Sequence, residues 1–146
     1  MENILFFLIA ALAGSAMAVQ GSLNTVLAKV VGQLEATFLV HVLAVVVLIL
    51  LLLILNFGQG NLEKAYQAPW YSYLGGFLSI VTIYGVILSV NRLGVANATT
   101  MIIASQIITA TMIDHFGLWG LKEVSFGLIR LLGIIFLIIG VKLLII

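Results

Sequence analysis

"LAGSAMAVQGSLN", residues 12–24, decides how the whole chain is read. Ala16, Met17 and Ala18 have the small-x-small form that a signal peptidase cuts, which would discard residues 1–18. If the stretch is instead kept in the membrane, Gln20 and Asn24 need a reason to be there. A signal peptide starts with a positive n-region followed by an apolar stretch of roughly 7–15 residues. Here the n-region is "MEN", without Lys or Arg, and the apolar character continues through Leu23, Val26, Leu27, Val30 and Val31. The segment therefore reads as a retained first helix.

Working outward, the 146 residues are 64% hydrophobic and 8% charged. A soluble domain carries about a quarter charged residues, so the composition is that of an integral membrane protein. There is no Cys, which excludes a disulfide framework and a Cys-based metal site. A net charge of +1 offers no basic surface for nucleic acid. No nucleophile–base pair, phosphate loop or metal-spaced cluster is present, so neither an enzyme nor a cofactor is expected.

Apolar runs at about 3–31, 36–56, 70–90, 95–113 and 127–146 are each near the roughly 20 residues that cross a bilayer. They predict an all-α bundle of five transmembrane helices forming a single domain over residues 1–146. Continuous Leu/Ile/Val runs argue against a β-barrel. "GQLE" and "NRLG" read as tight polar turns, whereas "NFGQGNLEKAYQAP" and "DHFGLWGLKEVS" are longer connections. Pro69 stands just before the third helix, where proline is tolerated. Trp70, Tyr71 and Tyr73 fit an interfacial aromatic belt.

On the first helix Ala13, Gln20 and Asn24 share one stripe, with Gly14 and Gly21 on a second stripe beside it. The amides are either glue between packed helices or a substrate-facing stripe in a central cavity. The fourth helix is the most polar. Thr99 and Gln106 share a face with Thr109 close by, and Asn97, Thr100, Thr111 and Asp114 occupy an adjacent arc. A threonine can bond its own helix, so Gln106 and Asn97 are the stronger candidates for a cavity.

Asp114 and His115, an adjacent acid and imidazole, are candidates for coupling or gating. The plainer reading is a charged pair capping a helix at the water interface. His41, deeper in the second helix, has the same two readings, the plain one being a bond to a backbone carbonyl. Gly75 with Ser79, and Gly133 with Gly140, form small-residue patterns suited to packing or dimer contact. Arg130 and Lys142 can snorkel to the headgroups.

Five spans put the termini on opposite sides. Lys64, Lys122 and Arg130 then face Lys29, Arg92 and Lys142 across the membrane. Orientation normally follows an excess of Lys and Arg in cytoplasmic loops. This chain shows none, so dual topology and antiparallel pairing of two copies are expected.

Five stretches in order carry a resemblance: "VQGSLNTVL", "APWYSYLGG", "NRLGVANATTMIIASQ", "MIDHFG" and "RLLGIIFLIIGVKLL". With them the chain resembles the small five-helix YdcZ-like proteins of the drug/metabolite transporter superfamily. The resemblance implies half of an inverted-repeat transporter in the bacterial inner membrane, completed by an antiparallel homodimer or an oppositely inserted paralogue. It implies a secondary transporter of a small organic metabolite working by alternating access. Small multidrug resistance proteins, similar in size, use a membrane-embedded glutamate in the first helix. Residues 3–31 contain no acid, so a neutral or zwitterionic solute is favoured over a drug cation. A dual-topology ion channel and a non-transporting structural subunit are the alternatives.

Overall fold

The computed structural model describes residues 2–55, 57–58 and 60–145. Asn56 and Gln59 of the long connection, and the expected end of the last helix at Ile146, lie outside the described residues. Among those described, the chain is helical and forms two compact units that divide between Arg92 and Leu93.

In the first unit α1 runs unbroken from Glu2 to Val31, straight through the "AMA" triplet. α2 follows at Gln33–Ile49 and α3 at Leu74–Leu93. Only Gly32 separates α1 from α2, with φ 103° and ψ 159°. Such a φ is strained for any residue with a Cβ and open to glycine. One glycine is enough to reverse the chain, so "GQLE" is not a four-residue turn. Gln33, Leu34 and Glu35 are the first turn of α2, and the Glu35 carboxylate folds back over Gly32. An acid there also suits the positive end of the helix dipole. "NRLG" differs in the same way: α3 continues through Leu93, and Gly94 alone, at φ 80°, interrupts it.

α2 ends in a π-helical turn, Leu50–Ile54, in which the Leu55 N–H reaches back to the Leu50 carbonyl. The turn lengthens this apolar span to 22 residues, Gln33–Ile54. The connection to α3 contains a 3-10 segment, Leu62–Gln67, whose start is capped by Asn61 Oδ1 accepting from Glu63 N at 2.8 Å. Pro69 then opens a 3-10 turn, Trp70–Tyr73, that runs directly into α3.

The buried side chains of this unit gather near the Gly32 hairpin. They are Asn24, Thr25, Ala36, Thr37, Ile87 and Val90, with Gly21 among them. Apart from Ile87 and Val90 they are small or polar, which follows from the solvent. Lipid is as apolar as leucine, so helices gain little by hiding leucines from it and associate through small residues that allow close approach. A Cβ at Gly21 would lie 2.8 Å from Cγ1 of Val86, so a side chain there would have to displace that methyl where α1 meets α3. The large residues face outward, including all of Ile4–Ile9.

The second unit pairs α4, Val95–Phe116, with α5, Leu128–Leu144. α4 extends past the expected residue 113, so Asp114 and His115 belong to its last turn. Gly117 stops it in the left-handed conformation, its N–H bonded to the Ile113 carbonyl. The connection is tied back by Val124 N donating to the Asp114 carbonyl at 2.9 Å. α1, α2 with its π turn, α3 with the preceding turn, and α4 are each long and apolar enough to cross a membrane. α5 has 17 residues.

Candidate functional site

The polar side chains inside the helices divide into two populations. Most hydroxyls are committed to their own helix. Ser15, Ser22, Thr25, Thr37, Thr100 and Thr111 each donate to the carbonyl four residues back. The expectation that threonines mostly serve their own backbone holds for these residues.

The amides behave differently. No side-chain hydrogen bond joins Gln20, Asn24, Asn97 or Gln106 to the described residues. Asn24 is only 8% exposed, beside Gly21 and Thr25 in the small-residue cluster. Gln20, one turn earlier, is exposed, Asn97 is half-buried and Gln106 is exposed. Gln20 and Asn24 stand on one stripe of α1. Asn97 and Gln106 accumulate a phase of about 180° along α4, so they address opposite sides of it. Those two cannot act on one ligand from the same copy's α4 face.

His41 makes the backbone bond expected of it, Nδ1 lying 2.7 Å from the Thr37 carbonyl oxygen. It also has a partner that the sequence did not name. Nε2 is 3.0 Å from Oγ of Ser79 on α3, and that hydroxyl is 2.7 Å from the Gly76 carbonyl oxygen. Ser79 thus does more than keep a helix face small. A groove of about 640 Å³ opens beside the ring, lined by Glu35, Phe38, His41 and Ile80 among others.

Asp114 and His115 do not pair with each other. Asp114 Oδ2 lies 3.8 Å from Nη1 of Arg130 in the first turn of α5, with side chains 47% and 40% exposed respectively. An ion pair this open to its surroundings contributes between nothing and about 1 kcal/mol. His115 leans on rings instead, 5.0 Å from Phe116 and 6.2 Å from Phe126 between centroids. Arg130, expected to snorkel, is held by Asp114. The signal for this pair was available: opposite charges near the facing ends of two consecutive helices.

Of the glycines assigned to packing, Gly75, Gly133 and Gly140 have nothing within 4 Å of where a Cβ would stand. Their faces are open in the single chain.

Long apolar helices, outward-facing leucines and neutral polar groups kept within the spans define a multi-pass protein of the cell membrane. The chain belongs to the family described as "Putative inner membrane exporter, YdcZ", whose model matches residues 5–143. It matches no curated protein and no solved structure.

Proposed function

We propose that the chain is half of a secondary transporter that moves a small neutral or zwitterionic organic metabolite outward by alternating access. The observation that supports this best is the place of Asn24, a neutral amide 8% exposed in the small-residue cluster within the α1 span. An amide within an apolar span has donors and acceptors to offer a ligand, water or a second chain. Gln20 stands on the same stripe one turn earlier. Amides donate and accept without charge, which fits a neutral or zwitterionic solute.

In this reading α5 is the fifth span. Its 17 residues reach about 25 Å at about 1.5 Å each, within the range of short spanning helices. An odd number of spans with balanced flanking charge lets a second, inverted copy complete the ten-helix body, and Gly133 and Gly140 leave a face open for it. An inverted pair brings the Gln20–Asn24 stripes of both copies to a shared axis near the midplane.

A ligand-stabilisation screen over a metabolite library on the purified protein identifies the solute, and flux from proteoliposomes tests the mechanism. Saturable flux with counterflow is the expected result; fast, non-saturating flux means a channel, and no flux of any solute means a structural subunit. Topology is tested with C-terminal fusions to a cytoplasm-only fluorescent protein and to a periplasm-only phosphatase. Both should be active, and a Lys added between Gln33 and Glu35 should shift the population toward that end being cytoplasmic. Activity of one reporter alone would leave an inverted homodimer untenable.

A further inference from the structure

Each ring nitrogen of His41 meets an oxygen, and the bonding around these oxygens constrains where hydrogens lie. The Thr37 carbonyl 2.7 Å from Nδ1 can only accept, so Nδ1 carries a hydrogen. The Ser79 hydroxyl has one hydrogen and two neighbours that could receive it, the Gly76 carbonyl at 2.7 Å and Nε2 at 3.0 Å. Directed to Gly76, it leaves Oγ as an acceptor, so Nε2 must also carry a hydrogen and the ring is an imidazolium. Directed to Nε2, it serves a neutral ring, and the Gly76 carbonyl keeps only its place in the helix ladder. The two protonation states therefore differ by one turn of a hydroxyl, at a hydrogen bond that joins α2 to α3.

We propose that His41, with Thr37 and Ser79, is a proton-binding site that couples transport to a proton gradient. The coupling role rests on the transporter reading above; the proton site does not. Uptake forms an N–H bond at Nε2 and breaks an O–H bond of a hydronium ion in the adjoining groove, leaving water. The ring gains one positive charge, and the Ser79 hydrogen moves from Nε2 to the Gly76 carbonyl. Release reverses each step. The groove, walled by Leu34, Phe38, Leu39 and Ile80, also touches Glu35, about 9 Å nearer the Gly32 end along α2. A carboxylate there attracts protons. The other ionisable groups on the helices around the ring are Glu2 and Lys29 on α1 and Tyr84 and Arg92 on α3. Among the described residues Lys29, Tyr84, Arg92 and Glu35 form no ion pair with it.

The test needs no solute. A His115→Gln protein carrying ¹⁵N-histidine, reconstituted in lipid vesicles, has one imidazole, and ¹⁵N NMR reads both its charge and its tautomer. Across a series of buffers from acid to alkaline the ring should pass reversibly from imidazolium to a neutral form with its hydrogen on Nδ1. In Ser79→Ala the Nε2–H of the cation should exchange with water about tenfold faster, the worth of one hydrogen bond. Ser79→Thr, which keeps the hydroxyl, should return the slow rate. A ring that stays neutral throughout, or whose neutral form holds its hydrogen on Nε2, overturns the proposal. A ring that titrates as expected in a protein that carries no solute upholds the proton site and overturns the transporter reading and the coupling built on it.

Discussion

The corner around Asn24 in the first unit and the corner around Asp114 in the second handle polarity in opposite ways. Asn24 is neutral and 8% exposed. Asp114 is charged, 47% exposed and faces Arg130 at 3.8 Å. By residue type alone the acid is the more eye-catching, because an ionisable group within an apolar helix marks function by default. Surroundings reverse that order. A half-exposed charge with a counter-ion at a helix end is cheap to keep, whereas an amide set among packed helices within a span is costlier to place and so more telling. The two histidines repeat the lesson: His41 joins α2 to α3 between the Thr37 carbonyl and the Ser79 hydroxyl, while His115 rests against Phe116 and Phe126.

The contrast is broken or sharpened by substitution. The largest effect is expected at the amides. Asn24→Leu, Gln20→Leu and Gln106→Leu should each lower proteoliposome flux about tenfold to a hundredfold, since a ligand group left unpaired costs about 1–3 kcal/mol. Yield and dimer content should hold. Loss of assembly in step with flux would make these residues helix glue.

Next comes Gly21→Val, which forces atoms against Val86 where even a Cβ would sit at 2.8 Å. Overpacking should cost about 1–3 kcal/mol in thermal unfolding, and Val86→Ala in the same protein should recover most of it. Gly133→Val, with open space around it, should leave the monomer's stability unchanged. A loss of monomer stability equal to that at position 21 would mean the close approach at Gly21 is nothing special.

The smallest effect belongs to Asp114→Asn and Arg130→Gln. Each should cost at most about 1 kcal/mol and leave the pH profile of flux where it was. A collapse of flux matching that of Asn24→Leu would erase the distinction between the two corners.

The helices were legible because crossing a bilayer demands long apolar runs, and five such runs stand in the chain. Their ends were less so. "GQLE" and "NRLG" look like turns because they are polar, yet a single glycine at positive φ suffices and the flanking polar residues join the helices. α4 outran its apolar stretch because Asp114 and His115 are acceptable in a last turn, where Gly117 rather than polarity ends the helix. The amide stripe on α1 could be seen from spacing, but that Asn24 is enclosed while Gln20 is open depends on α2 and α3. The His41–Ser79 bond was invisible for a deeper reason. In lipid, hydropathy tells a helix that it is inserted and not which helix it touches, so the pairing rests on small-residue faces that look alike.

The single-residue hairpin at Gly32 also bears on how the protein is made. One residue spans at most about 3.6 Å, so the chain has no slack between its first two helices. α1 cannot settle in the bilayer while α2 waits on the far side for its own signal. The two must enter as one unit, and Lys29 and Glu35, on either side of the glycine, travel to the same face together. Whatever orientation one of the two helices takes is thus the orientation of both.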